Sequence, residues 1–226
     1  MVYGEIEMIF MIRLLLILFF LTGCDAFPLY SYTFNSLKNS ILGHEDTPLT
    51  QEAVDKIPYA FIKARIGKGP SVIMILVNEK NGVLEWISAD KVKIYTFNGK
   101  IIRTAGLEND IQIIDYTKFP KLEEELLKQK LEISYLANFF NPELYEFDIF
   151  NQIEIISAEE ILSTSLGQRT VLKVHESFEA KSINWVGQNT YYVSNSGDVE
   201  KTIQQIHPFL PTIQIEYIKK FKGKSS

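Results

Sequence analysis

Two Asn-Gly pairs close together, Asn81-Gly82 and Asn98-Gly99, constrain this chain more than any other feature. A two-residue type I′ turn needs positive φ at both central positions, and Asn-Gly meets that need at the least steric cost. Such a turn joins antiparallel strands. The flanking residues agree with it. Val72-Ile73-Met74-Ile75-Leu76-Val77 is a continuous apolar run, as in a strand covered on both faces. Val83 to Ile87 follows, then a turn at Asp90-Lys91, then Val92 to Phe97, and Lys100 to Thr104 after Gly99. The segment predicts a four-stranded antiparallel meander.

The rest of the chain predicts more β than α. Phe34, Leu37, Ile41 and Leu42 are spaced as in a short helix that Gly43 ends, and a second runs from Thr50 to Lys56 with Thr50 as N-cap. The longest helix is expected from Pro120 to about Asn138, with Leu122, Leu126, Leu127 and Leu131 as its apolar stripe. Strands are expected at Leu144–Phe150 and Ile153–Ser157, and Ile213, Ile215 and Tyr217 alternate with polar residues in a final half-buried strand. Val171 precedes Trp185 by the fourteen residues that separate Val72 from Trp86, and Gly197 follows Trp185 by twelve residues where Gly99 follows Trp86 by thirteen. Two similar halves, about 57–119 and 165–219, account for this; so do two hairpins of similar length. The expected fold is mainly β: a large antiparallel meander curled toward a barrel or half-barrel, with a few packed α-helices.

The N-terminus points to export. Arg13 precedes eight apolar residues, Leu14 to Leu21, and then Thr22-Gly23-Cys24. That is the layout of a secretory leader, and it falls short of the roughly 20 apolar residues that span a bilayer as a helix. Leu-Thr-Gly-Cys is similar to the lipobox of bacterial lipoproteins, which implies cleavage before Cys24 and lipid on its thiol. Cys24 is the only cysteine, so an intrachain disulfide is excluded. Glu5 and Glu7 are foreign to such a leader, so translation is expected to start at Met8 or Met11. The expected organisation is a signal peptide over 1–23, a membrane tether over 24–33 and one β-rich domain over 34–226. Asp25, next to the lipidated residue, resembles the inner-membrane retention signal of enteric lipoproteins. The net charge of −5 argues against a nucleic-acid surface.

No catalytic constellation emerges. His44 beside Glu45 and Asp46 lacks a second histidine at i+3 or i+4 and reads as a solvated loop, and His175 and His207 read as structural. Ser88 and Asp90 flank a tight turn without a nucleophile elbow. Gly67-Lys68-Gly69-Pro70-Ser71 lacks phosphate-loop spacing and reads as a turn entering a strand. Glu159-Glu160 suits a helix first turn or a loop. Trp86, Tyr95, Phe97, Trp185, Tyr191 and Tyr192 fit a β core better than a sugar-stacking surface. No cofactor or metal is expected.

Four segments in order carry a resemblance: Ile57-Pro58-Tyr59-Ala60; Arg65-Ile66-Gly67-Lys68-Gly69-Pro70; Trp86-Ile87-Ser88-Ala89-Asp90; and Asn98-Gly99-Lys100-Ile101-Ile102-Arg103-Thr104-Ala105-Gly106-Leu107. They resemble the YjbF/GfcB lipoproteins of capsule and exopolysaccharide gene clusters. Asn189 to Val193 and Gly197 to Pro208, with Gln204 and Pro208, are similar too, with Tyr192, Ser194 and Thr202 departing from the family pattern. The resemblance implies a β fold that is often dimeric, no enzyme activity, and a part in secretion or assembly of a surface polysaccharide. Its implied partners are the membrane, through lipid, and other envelope or export proteins or the polysaccharide itself. It also tips the expected location to the outer membrane, against Asp25. The competing readings are a periplasmic glycan lyase or hydrolase and a purely structural envelope scaffold.

Overall fold

The computed structural model describes residues 49–123 and 129–221. Cys24, Asp25, His44 and the helix expected over Phe34 to Leu42 lie outside these residues. Helix α1 (Gln51–Asp55) forms where expected, and the Thr50 hydroxyl accepts the Ala53 N–H at 3.2 Å. Then come β1 (Phe61–Ile66), β2 (Val72–Lys80), β3 (Val83–Ile87), β4 (Lys93–Phe97), β5 (Lys100–Ala105) and β6 (Ile111–Ile113). After them come β7 (Leu131–Phe140), β8 (Glu143–Thr164), β9 (Gly167–Ala180), β10 (Trp185–Val193), β11 (Val199–Gln204) and β12 (Ile213–Lys219). Each strand pairs antiparallel with its neighbours in sequence, and β12 returns to β1, so the described strands form a closed barrel. Ala64 of β1 faces Val72 of β2 on one side and Ile215 of β12 on the other. Closure pairs every strand and leaves no edge open to another chain.

The hairpin turns match the expected chemistry. Asn81 and Gly82 have φ of 54° and 79°, and Asn98 and Gly99 have 49° and 83°, all positive as type I′ requires. At Gly99 a second constraint applies: an added Cβ would lie 2.5 Å from Val199 Cγ2.

Three expectations are corrected. Residues 131–138 of the helix expected from Pro120 to Asn138 belong to strand β7 instead, and 124–128 lie outside the described residues. The competing signal is a period of two. Tyr135, Ala137 and Phe139 are buried while Glu132, Ser134, Leu136 and Asn138, in the opposite phase, are not. Glu159 and Glu160 sit within β8, which joins both strand pieces expected after Pro142 into one long strand. In place of a few helices, the described residues hold one short α-helix and two 3-10 turns.

Barrel closure sorts side chains by alternation. Ile62, Ala64, Met74, Trp86, Ile101, Tyr135, Phe178 and Ile215 point inward into one core cluster. A second cluster joins Leu172, Val174, Tyr191 and Val193 to Phe119 and Leu122 of the β6–β7 connection. Phe119 and Leu122 are buried, each contributing about 1.5–3 kcal/mol of apolar transfer. The Asn98 amide donates to the Phe119 carbonyl at 3.1 Å. This connection thus closes the barrel end that carries the Asn98-Gly99 turn.

Candidate functional site

In an up-and-down barrel, alternate connections fall at the same end. The β1–β2, β3–β4, β5–β6 and β11–β12 connections therefore meet opposite the end that Phe119 and Leu122 close. Three motif segments run through them, and they frame a cleft of about 250 Å³. Arg65, Gly69, Pro70, Val72, Ser88, Asp90 and Leu107 line it, and Ala64, Met74 and Ile94 lie at its floor.

Each wall is fixed by its own turn chemistry. The Ser88 hydroxyl donates to the Asp90 carboxylate and accepts the Val92 N–H at 3.0 Å, so both polar groups hold the β3–β4 turn. Asp110 organises the β5–β6 turn. Its Oδ1 accepts from the Thr104 hydroxyl at 2.7 Å and the Leu107 N–H at 3.2 Å, and its Oδ2 accepts the Gly106 N–H at 2.9 Å. This network sets Leu107 on the cleft wall. Gly67 has φ of 53° and donates its N–H to the Thr212 carbonyl at 2.9 Å, joining the β1–β2 turn to the β11–β12 connection. The Arg65 guanidinium donates to Gln214 Oε1 at 2.7 Å on the outer wall.

A second polar cluster is sealed inside the barrel. The Lys100 ammonium donates to both Glu176 oxygens, at 2.7 and 2.8 Å. Glu176 Oε2 also accepts from Asn189 Nδ2 at 2.8 Å and the Tyr191 hydroxyl at 2.6 Å. Lys100 stands 5.2 Å from the Phe119 ring and 4.9 Å from the Tyr135 ring, one from each core cluster. Burial pushes the Lys100 ammonium below its usual value against the pull of Glu176, and burial with the Glu176 charge drives Tyr191 and Tyr135 well up. Beside the pair, Gln204 bridges the barrel. Its Oε1 accepts the Ile101 N–H at 2.9 Å, and its Nε2 donates to the Gly99 carbonyl at 2.8 Å.

The other predicted residues scatter by role. Trp86 is interior; its Nε1 donates to Thr96 Oγ1 at 2.9 Å, and its ring meets Tyr217 edge-on at 6.0 Å. Trp185 and Tyr191 are buried as well, so the six aromatics do not form one sugar-stacking surface. Arg103 lies on the outer face, 5.3 Å from the Tyr95 ring. Tyr59 precedes β1 and Gly197 lies in the β10–β11 turn, both at the end away from the cleft, whereas Pro208 belongs to the β11–β12 connection at the cleft end. His175 is on β9, and the buried His207 ring packs tilted against Phe139, with centroids 4.0 Å apart. Among the described residues no group of three or more His, Cys, Asp or Glu is arranged to hold a metal. Sequence reasoning missed Asp110, Lys100 and Glu176 as organising groups. Glu176 left a signal, since it shares the inward phase of Val174 and Phe178.

Fold and site together define a class: a closed antiparallel β-barrel with a motif-framed cleft at one end and an ion pair sealed within. Over residues 34–218 the chain matches the family described as Group 4 capsule polysaccharide lipoprotein gfcB, YjbF, and it belongs to that family. It is 19% identical over 194 residues to the uncharacterized lipoprotein YjbF of Escherichia coli strain K12, covering 85% of this chain and 90% of that one. It is 23% identical over 92 residues to the uncharacterized lipoprotein GfcB of the same strain, covering 41% of this chain and 42% of that one. The crystal structure of the hypothetical lipoprotein YmcC from Escherichia coli K12 shares the fold, with a TM-score of 0.66 at 16% identity, over 84% of this chain and 96% of that one.

Proposed function

We propose that this protein is a lipid-anchored, non-enzymatic accessory of capsule or exopolysaccharide secretion or assembly, and that it works by binding at the motif-framed cleft. The observation that carries this reading is convergence. Arg65, Gly69, Pro70, Ser88, Asp90 and Leu107 come from three separated motif segments and meet around one opening. Binding suits the cleft better than catalysis, because the Ser88 hydroxyl and the Asp90 carboxylate are spent on each other and on the Val92 N–H. The apolar floor with a few polar groups at the rim is the usual makeup of a recognition pocket.

Lipid on Cys24 holds the domain at a membrane with the barrel in the periplasm, the outer membrane being the proposed site. The partners are other envelope or export proteins, the glycan, or a second copy of the chain. Deletion of the gene tests this: cells should keep polysaccharide inside and lose it from the surface. Purified protein should leave the chain length of the extracted glycan unchanged. Unaltered surface polysaccharide, or glycan cleavage by the purified protein, contradicts the reading.

A further inference from the structure

The outer wall beside the cleft carries a second, differently built surface. On β1, β11 and β12, the residues between the inward ones point out: Lys63 and Arg65, Lys201, and Gln214 and Glu216. The registers place them side by side. Lys201 pairs with Glu216, Glu216 pairs with Lys63, and Gln214 pairs with Arg65. Together with Ser71 they line a groove of about 170 Å³, in which three cations stand against one carboxylate.

That carboxylate is already engaged. Glu216 accepts from the Ser165 N–H at 2.6 Å and from its hydroxyl at 3.0 Å, both at the tip of the β8–β9 hairpin. The neighbouring acid on β11, Glu200, is held by Arg169 at 3.0 Å and Lys220 at 2.5 Å. Among the described residues, neither the Lys63 nor the Lys201 side chain has an ion-pair or hydrogen-bond partner. Ser165 thus occupies the Glu216 oxygens, Arg169 and Lys220 hold Glu200, and the groove keeps a net positive charge of three cations to one carboxylate.

We infer that this groove binds an acidic polysaccharide, a chain of sugars bearing carboxylates. The inference rests on the capsule reading above and assigns it a substrate chemistry and a surface. Lys63 and Lys201 are two strands apart, about 10 Å at ordinary strand spacing, which suits charges recurring along an extended chain. Gln214 and Ser71 between and beside them offer neutral hydrogen-bonding groups of the kind that sugar hydroxyls require. Tyr192, in register with Lys201 on β10, adds a half-buried ring at the groove's margin. A lipid surface is the poorer fit. Electrostatic docking to anionic lipid is built on clusters of four to eight cations, and this groove has three, interleaved with neutral groups.

The test uses the mature lipoprotein in neutral detergent, titrated with polygalacturonate oligomers, neutral dextran oligomers of matched length, and glycerophosphoglycerol, the soluble headgroup of phosphatidylglycerol. The protein should bind polygalacturonate, weaken as salt rises, and ignore dextran. Lys63→Gln/Lys201→Gln and the charge-reversing Lys63→Glu/Lys201→Glu should bind roughly tenfold or more weakly at an unchanged melting temperature. Absence of polygalacturonate binding, equal binding of dextran, preference for glycerophosphoglycerol, or undiminished binding by the Gln pair overturns the inference. The deletion strain separates the two claims. Lost surface polysaccharide with no polygalacturonate binding keeps the capsule role and removes the groove, whereas normal surface polysaccharide removes the role itself.

Discussion

Lys100 and Glu176 meet inside the barrel as a doubly bonded ion pair, with side chains 4% and 0% exposed. They come from strands β5 and β9, which are not hydrogen-bonded neighbours, so the pair ties opposite walls together. Removing one partner of such a pair leaves a buried charge uncompensated. Lys100→Met should therefore cost about 3–5 kcal/mol of stability. Lys93→Met, which breaks the half-exposed pair with Glu85, should cost about 1 kcal/mol or less. Denaturant unfolding of both variants checks this, and equal losses would contradict it.

Gly99 and Gly167 both have positive φ, 83° and 110°, yet differ in surroundings. A Cβ on Gly99 meets the Val199 side chain, whereas one on Gly167 meets nothing within 4 Å. Gly167→Ala should cost only the backbone strain, about 1 kcal/mol. Gly99→Val should cost about 2 kcal/mol or more, because overpacking adds to that strain. Calorimetric melting resolves the difference, at about 2–4 °C for each kcal/mol in a domain this size.

Buried His207 should make the barrel acid-sensitive. Its Nδ1 accepts the Phe209 N–H at 3.1 Å, and burial lowers its pKa from the ordinary 6.5. The unfolded chain then takes up a proton that the folded one refuses. The resulting stability is present above pH 6.5 and is lost as pH falls from there through the folded value. Melting temperature should drop between pH 7 and pH 5, and His207→Asn should flatten part of that slope. A slope unchanged in the variant would assign it to other groups such as His175, whose pKa burial also lowers.

The anchor has its own test. Cys24→Ser should abolish incorporation of labelled fatty acid and leave the leader uncut, because stable anchoring depends on the acyl chains. Normal processing of that variant would contradict the lipobox. In density-gradient fractionation the wild type should run with the outer membrane. Wild-type protein in the inner membrane that moves outward on Asp25→Ser would establish Asp25 as the retention signal.

What the sequence made legible was local. Asn81-Gly82 and Asn98-Gly99 announced their turns because the φ requirement is written in two residues, and Thr50 announced α1 in the same way. β7 was hidden because the helical spacing of Leu122, Leu126, Leu127 and Leu131 in the sequence runs up to the point where Tyr135, Ala137 and Phe139 alternate. Closure by β1 against β12 has no local signal, since Ala64 and Ile215 are far apart in the chain. The cleft was half legible. Its motif residues could be named, but their meeting depends on barrel topology, and Asp110 stood outside every motif. Lys100 and Glu176 gave only a phase, an ionisable group on an otherwise apolar face, and the partner across the barrel could not be read from it.

The most direct test of the account is to block the cleft and measure polysaccharide at the cell surface. Val72, 41% exposed, and Leu107 stand on its wall, so Val72→Asp/Leu107→Asp places charge in the opening. A control, Val186→Asp, changes a residue 66% exposed and outside the cleft. In a strain lacking the gene, with each form present in the membrane at wild-type level, the control should restore surface polysaccharide and the cleft variant should leave it at the deletion level. Full restoration by the cleft variant would contradict the claim that this cleft is where the protein works.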